Sequence, residues 1–264
     1  ARVDSVLSLM TLEEKIGQLF MVAAFSKDSE KDNQKLVETL IKKHKVGGII
    51  FMQGSPFKQA QLTNHFQYCS DLPLLISTDG EWGLNMRLDS AVRYPKNMTL
   101  GAINDDSLLY QFGKEIAQQM RSIGVHINFA PDVDVNNNPG NPVIGDRSFG
   151  ENKEAVIRKS LMVMKGMQEN GLIANAKHFP GHGDTQTDSH YDLPILNHPR
   201  ERLDSLELEP FREIIKAGVY SVMMAHLFVP AIDSTPHLPT SLSRKAVTDL
   251  LRNELKFDGV VFTD

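Results

Sequence analysis

Residues 172–190 read LIANAKHFPGHGDTQTDSH, a short apolar run that ends in a loop rich in ionisable side chains. A continuous apolar run of this length, closed by polar residues, predicts a strand that is buried on both faces of a sheet. Runs of the same kind recur along the whole chain. Seven candidate strands are predicted, at roughly residues 17–24, 47–52, 73–78, 125–130, 172–177, 221–225 and 259–263.

Amphipathic segments of helical period separate these runs. In one of them, Leu109, Phe112 and Ile116 recur at a spacing of three or four, and Gly124 is placed to end the helix. Thr11 and Glu14 form a capping-box pattern before the first run, and Ser243 is a candidate N-cap before the last. Strands alternating with helices favour a barrel or a doubly wound sheet. At 264 residues we predict one α/β domain over 1–264, a TIM-like (β/α)8 barrel.

Composition excludes several classes of function. The formal charge of −5 comes from scattered residues without a clustered basic stretch, so nucleic acid is not an expected partner. No apolar run approaches about 18 residues, so no membrane-spanning segment is predicted. Because Cys69 is the single cysteine, we expect neither an intramolecular disulfide framework nor a Cys-based zinc site, and its apolar helical face predicts a core position. Because the chain begins with Ala1, localisation is left open between the cell envelope or periplasm and the cytoplasm, with a preference for the periplasm.

Ionisable residues lie at the end of most of the predicted strands or directly after it. In a (β/α) barrel, catalytic groups lie at the carboxyl ends of the strands, so these residues are candidates for one site. The alternative for any single one is a charged residue that starts a solvated loop. The candidates are Asp79, Asp132, Asp134, Lys177, His178, His226 and Asp264.

The segment 177–190 supports two chemical interpretations. His178, His182 and His190, with Asp184, are ligand types that suit zinc or a similar ion. Alternatively, Asp188 accepts a hydrogen bond from His190, which orients the imidazole and tunes it for acid–base work near neutral pH. A purely structural hydrogen-bonded pair is the third possibility.

The same segment resembles a known family. The pattern K-H-F-P-G-H-G-D-T-x-x-D-S-H, followed by Leu193 and Pro194, is similar to the signature of the β-N-acetylglucosaminidase branch of family-3 glycoside hydrolases. Three further stretches agree, at residues 79–81, 128–150 and 257–264, so the similarity covers nearly the whole chain.

The resemblance implies a retaining hydrolase for terminal non-reducing β-linked N-acetylglucosamine, with peptidoglycan fragments as a candidate source. It implies Asp264 as nucleophile and His190, paired with Asp188, as acid/base, with neither cofactor nor metal. A carbohydrate is then the expected partner. The residues implied to hold the sugar are Asp79, Arg87, Arg147, Lys177 and His178, with surface ion pairing as the alternative for the two arginines. Asp132, Asp134 and His226 are interpreted as supporting groups.

Two features depart from the family pattern. Residues 79–84 read DGEWGL, where the family has an Asp, any residue, a Glu, two glycines and an arginine. Trp82 would either stack on a sugar or pack inside the barrel. The last run ends at Asp264, so we expect a barrel truncated after its seventh strand and a further C-terminal domain in the full-length protein. Phosphorolysis, metal-dependent hydrolysis and non-catalytic carbohydrate binding remain the alternative functions.

Overall fold

The computed structural model describes residues 2–187 and 193–264. These residues form two compact units. The first contains the residues up to Arg93 together with Gln118–Asn128. The second contains Tyr94–Ala117 and Phe129–Asp264.

The first unit is built on four parallel strands that pair in chain order. They are β1 (Met21–Ser26), β2 (Gly48–Gly54), β3 (Leu75–Thr78) and β4 (Ile127–Asn128). Its helices are α1 (Arg2–Leu9), α2 (Leu12–Gly17), α3 (Lys31–His44) and α4 (Pro56–Cys69). Helix α2 begins with the predicted capping box, because Glu14 N donates to Thr11 Oγ1 over 3.2 Å and Thr11 N donates to Glu14 Oε2 over 2.9 Å. The buried rings of Phe51 and Phe66 stack at 6.4 Å between α4 and β2.

The predicted first strand was wrong over residues 17–20. Helix α2 ends at Gly17, and two tight turns follow, in which Leu19 N donates to Ile16 O and Phe20 N to Gly17 O, both over 3.0 Å. A Cβ on Gly17 would lie 1.9 Å from His44 O, so the close approach of another backbone requires glycine there. Leu19 and Phe20 extend the apolar run in sequence, yet they are 84% and 58% exposed.

The predicted core position of Cys69 was also wrong. Cys69 is half-buried, whereas Phe66, one turn earlier, is fully buried. Helix α4 ends at Cys69, so the thiol lies at the helix terminus beside the partly exposed ring of His65.

The second unit contains three parallel strands, again paired in chain order. They are β5 (Ile173–Phe179), β6 (Ser221–Met224) and β7 (Val260–Thr263). The helices that begin in this unit are α5 (Asn97–Gly101), α6 (Ser107–Ser122), α7 (Lys153–Gln168), α8 (Arg200–Ser205), α9 (Leu208–Lys216) and a π-type helix, Lys245–Glu254. The Phe179 and Phe211 rings meet edge to face at 5.1 Å in its core. Ser243 caps the π-type helix as predicted, since its Oγ accepts from Ala246 N over 3.2 Å.

Within residues 2–187 and 193–264, one or two helices lie between each strand and the next. This alternation is the predicted α/β arrangement, with seven strands in the described part of the chain. Among the same residues, no helix is both long and apolar enough to cross a membrane.

Candidate active site

Strand β5 carries buried charged side chains at its carboxyl end. Lys177 is 2% exposed and His178 is 3% exposed, although buried positions rarely hold such residues without partners. The neighbouring segment holds this part of the strand in place, because Val133 N donates to Lys177 O over 2.8 Å and Lys177 N to Pro131 O over 3.3 Å. The Lys177–His178 peptide bond is cis, as are the bonds preceding Pro131 and Pro180. The predicted pair therefore lies inside the second unit and not in a solvated loop.

Asp134 holds the two histidines of this region. Its Oδ2 lies 2.7 Å from His178 Nδ1 and also accepts from the His178 backbone N–H over 3.2 Å. Its Oδ1 accepts from the His182 backbone N–H over 2.6 Å. A buried carboxylate requires several such donors, and here it has three. Asp134 is therefore a supporting group, as its sequence position suggested.

Arg147 completes the contacts of the His178 ring. It ends the short 3-10 turn Gly145–Arg147, and its Nη2 lies 3.1 Å from His178 Nε2. Its Nη1 donates to Val143 O over 3.3 Å. A guanidinium can only donate hydrogen bonds, so Nε2 accepts and the ring proton lies on Nδ1, facing Asp134. Arg147 is thus half-buried against the site, which argues against the alternative of a surface ion pair.

His182 is bound differently from His178. Its Nδ1 lies 2.6 Å from Thr185 Oγ1, and that hydroxyl donates to the His182 carbonyl over 3.1 Å. The His178 and His182 rings meet edge to face, with centroids 5.9 Å apart. Both rings are therefore oriented by side-chain partners within the second unit.

Burial and charge set the protonation of this group. Burial lowers the pKa of His182 below 6.5, while the negative charges of Asp134 and Asp264 oppose that shift. Burial by itself would raise the pKa of Asp134, but the attraction of the His178 imidazole and the N–H donors around it lower that pKa below 3.8. At neutral pH, Asp134 is ionised and His182 is neutral.

Asp132, Asp134 and His178 could together hold a cation, since their ligand atoms lie within 4.8 Å of one another. Such an ion would have to replace the hydrogen bond between His178 Nδ1 and Asp134, because the same atoms would bind it. The metal set predicted from sequence was His178, His182 and His190. In His178 and His182 the Nδ1 atoms already bind Asp134 and Thr185. The described contacts thus favour hydrogen bonding over metal binding, and His190 lies outside the described residues.

A second network anchors the loop after β5, and sequence reasoning missed most of it. Asp184 Oδ2 accepts from Asn137 Nδ2 over 3.2 Å and lies 2.8 Å from His198 Nε2. Arg202 Nη1 donates to both oxygens of Glu207, over 2.6 and 2.8 Å. Burial raises the pKa of Glu207, and Arg202 opposes that shift. Asp184, predicted as a metal ligand, instead ties the loop to distant segments that no motif connects to it.

The predicted acid/base pair, Asp188 and His190, lies outside the described residues, as do Ser189, Tyr191 and Asp192. The assignment of these two residues stays a prediction. The described loop runs up to Thr187, and the chain is described again from Leu193.

In the first unit, Asp79 directly follows β3. Arg87 Nη2 donates to Asp79 Oδ2, and the two side chains are 21% and 19% exposed, so this is not a surface ion pair. Arg87 Nε is buried without a hydrogen-bond partner. Asn128 braces the turn after Asp79, accepting from Gly80 N over 2.9 Å and donating to Gly80 O over 3.1 Å. Trp82 is half-buried, which leaves both of its predicted roles open.

Asp264 follows β7, and its side chain is exposed. Its backbone N–H donates to Met224 O over 3.0 Å, continuing the pairing of β7 with β6. His226 binds the main-chain oxygen of Asp264 through Nε2 over 2.6 Å, and its Nδ1 lies 2.6 Å from Ser241 Oγ. His226 is thus a supporting residue for this strand end, as predicted, and the Asp264 carboxylate is free to face solvent.

Comparisons with known proteins connect this geometry with a family. The family model described as "Glycosyl hydrolase family 3 N terminal domain" matches residues 11–264. Beta-hexosaminidase A of Pseudoalteromonas piscicida is 38% identical over 248 residues, which cover 85% of this chain and 42% of that protein. A beta-hexosaminidase of Nitrosomonas eutropha is 34% identical over 259 residues, covering 94% of this chain and 72% of the relative.

A solved structure is similar over almost the whole chain. The family-3 beta-N-acetylglucosaminidase from Paenibacillus sp. str. FPU-7 has a TM-score of 0.89 and 44% identity, covering 97% of this chain and 49% of that one. The chain thus spans about half the length of this protein and of the Pseudoalteromonas relative. The similarity confirms the α/β TIM-like fold and the family resemblance stated from sequence. The chain therefore belongs to glycosyl hydrolase family 3, a family of glycosidases, as its N-terminal domain.

Proposed function

We propose that the protein is a retaining β-N-acetylhexosaminidase that removes terminal non-reducing β-linked N-acetylglucosamine, with peptidoglycan fragments as a candidate source. One observation carries the proposal. The chain is 44% identical to a family-3 β-N-acetylglucosaminidase over nearly its full length. The hydrogen-bonded group of Asp134, His178 and the half-buried Arg147 supports it, because these contacts fix ionisable side chains near the end of β5, where barrel enzymes bind substrate.

The sugar is held by charged groups in this proposal. Lys177 and Arg147 carry positive charges that make charge-assisted hydrogen bonds to hydroxyl oxygens, and His178 is fixed by its two partners. Asp79 and Arg87 keep the sugar-binding role that the family resemblance implies. A site built from buried hydrogen-bonding groups rejects a substrate that lacks the matching group, since the buried groups are then left unpaired.

The chemistry proceeds in two displacements. Asp264 attacks the anomeric carbon while the bond from that carbon to the leaving oxygen breaks, and His190 protonates the leaving oxygen. His190, now neutral, takes a proton from water, which attacks the anomeric carbon and releases Asp264 as a carboxylate. Asp188 orients His190 by accepting a hydrogen bond from one ring nitrogen. Retaining glycosidases usually use two carboxyl groups, so a histidine in the acid/base role is a departure from that scheme.

The proposal predicts a strong preference between two chromogenic substrates. The 4-nitrophenyl N-acetyl-β-glucosaminide is expected to react with a kcat/KM at least about 100-fold above that of the 4-nitrophenyl β-glucoside, because a site that hydrogen-bonds the acetamido group rejects a substrate that lacks it. NMR of the first product should show the β-anomer. Equal rates on the two substrates would refute the N-acetyl assignment, and an α-anomeric first product would refute retention.

Substituting His190→Ala should give a loss of rate that depends on the leaving group. With an alkyl or sugar aglycone, kcat/KM is expected to fall by about 10²–10⁴-fold, the usual contribution of a general acid. With a 2,4-dinitrophenyl aglycone the first displacement should be nearly unaffected, because that phenolate leaves without a proton. His237→Asn, which removes an exposed imidazole, is the control. An equal loss on both aglycones would remove His190 from the acid role.

The alternative functions predict other results in the same assays. A metal-dependent hydrolase would contain stoichiometric metal and would lose its activity with a chelator. A phosphorolytic enzyme would form a sugar 1-phosphate in phosphate buffer. A carbohydrate-binding module would bind N-acetylglucosamine without turning over either substrate.

A further inference from the structure

A cluster of three metal-ligand side chains lies in the first unit, on the faces of α3 and α4. Glu38 Oε2 of α3 lies 3.1 Å from His65 Nε2 of α4. Cys69 Sγ, on α4, lies 3.8 Å from the same nitrogen. All three ligand atoms lie within 4.8 Å of one another. None of these residues takes part in the proposed glycosidase chemistry.

The two helices present these groups by simple geometry. His65 and Cys69 are separated by four residues, so they lie on the same face of α4 one turn apart. Glu38 faces them from the neighbouring helix α3. Lys42, one turn after Glu38 on α3, binds Glu38 Oε1, which leaves Oε2 for His65. The carboxylate is thus already held in the orientation that a shared ligand site requires.

The distances fit tetrahedral coordination of a small divalent cation. Zinc binds a histidine nitrogen at about 2.0–2.1 Å, a carboxylate oxygen at about 2.0–2.2 Å and a thiolate at about 2.3 Å. At the tetrahedral angle, these bond lengths place nitrogen and sulfur roughly 3.6 Å apart, and nitrogen and oxygen roughly 3.4 Å apart. The observed separations are 3.8 and 3.1 Å. These two separations differ from the tetrahedral values by a few tenths of an ångström, and the third pair, the Glu38 carboxylate and Cys69 Sγ, lies within 4.8 Å.

We propose that Glu38, His65 and Cys69 bind Zn²⁺, with water as the fourth ligand. A set of thiolate, imidazole and carboxylate suits zinc better than calcium or magnesium, which prefer oxygen ligands. On binding, the Cys69 thiol loses its proton to solvent, and the sulfur becomes the metal ligand. The ion links α3 to α4 and is independent of the sugar site. Because the ligands come from two helices, zinc is expected to stabilise their packing.

The reactivity of Cys69 provides the test, since it is the only cysteine in the 264-residue chain. Zn²⁺ is expected to slow the reaction of the wild-type thiol with Ellman's reagent by at least about tenfold, and EDTA should restore the rate. Glu38→Gln and His65→Gln should raise the zinc concentration needed for half of the full protection by about 10–100-fold. This is at least the loss of affinity caused by changing an outer-shell partner. The control His237→Asn removes an exposed histidine outside the cluster and should retain full protection.

Co²⁺ gives a second readout that does not depend on thiol kinetics. The wild-type chain with Co²⁺ should show a thiolate-to-cobalt charge-transfer band, and Cys69→Ser should lack it. A cation bound by Asp132, Asp134 and His178 cannot produce this band, because that group contains no sulfur. The proposal is overturned if zinc leaves the thiol reactivity unchanged. It is equally overturned if protection persists in both Glu38→Gln and His65→Gln, or if the cobalt spectrum lacks the thiolate band.

Discussion

Replacing Asp264 with asparagine is expected to lower kcat on the N-acetyl-β-glucosaminide by at least about 10⁴-fold, as removal of a nucleophile does in other enzymes with covalent intermediates. The amide has nearly the volume of the carboxylate but cannot form the glycosyl ester. Asparagine preserves the backbone N–H that donates to Met224 O over 3.0 Å, so the pairing of β7 with β6 should persist. Single-turnover kinetics should show the loss in the first displacement.

Asp258→Asn is the matched control, because it removes an exposed carboxylate from the segment that leads into β7. Its kcat should stay within about twofold of wild type, since surface substitutions away from a site have small effects. Azide added to Asp264→Ala should replace the missing nucleophile and give a glycosyl azide of α configuration. If Asp264→Asn retained more than about a tenth of the wild-type rate, another group would have to be the nucleophile.

Asp134→Asn is expected to lower the free energy of unfolding by about 3 kcal/mol or more. Both carboxylate oxygens accept N–H bonds in a fully buried position, from His178 on one side and His182 on the other. The asparagine NH₂ group must face one of these donors. Turning the His178 ring proton to Nε2 does not remove the conflict, because Nε2 already accepts from Arg147. Urea unfolding at pH 7 measures the change.

Asp146→Asn is the control, because it removes an exposed carboxylate whose partner Lys96 is also exposed, and a change within about 0.5 kcal/mol is expected. The pH dependence gives a second check. The folded-state pKa of Asp134 lies below the ordinary value of 3.8. Its contribution to stability is therefore complete above pH 3.8 and is lost as the pH falls through the folded-state pKa. The difference in the free energy of unfolding between wild type and Asp134→Asn should therefore become smaller below pH 3.8. A constant difference across that range would contradict the charge-based explanation.

Pattern reasoning located the strands but not their ends. Each predicted run overlaps an observed strand, because continuous apolar β-forming stretches mark strands that are covered on both faces. The first run was too early because Leu19 and Phe20 are apolar but lie in exposed turns. Hydrophobic periodicity shows which residues are apolar, but it does not show where a helix ends and turns follow it.

The sequence likewise predicted residues of the candidate site but not the contacts between them. The sequence singled out Asp79, Lys177 and His178, because ionisable residues that follow apolar runs are conspicuous. Arg147 was singled out by the family resemblance. It gave no indication that Arg147 binds His178 Nε2, or that Arg202 and Glu207 belong to the network around Asp184. Arg147 and His178 are 31 positions apart, and Asp184 and Arg202 are 18 apart, and such pairs leave no local pattern.

Cys69 shows this limit most clearly. Counting cysteines excluded an intramolecular disulfide, because a disulfide requires two cysteines and the sequence has one. It could not reveal that Glu38 on α3 lies beside His65 and Cys69 on α4. By itself, the sequence determined the α/β class, the approximate positions of the strands and the family signature, since periodicity, composition and motifs are local properties. Only the tertiary structure decided which side chains meet and which atoms they share, because long-range packing places them and burial determines their protonation.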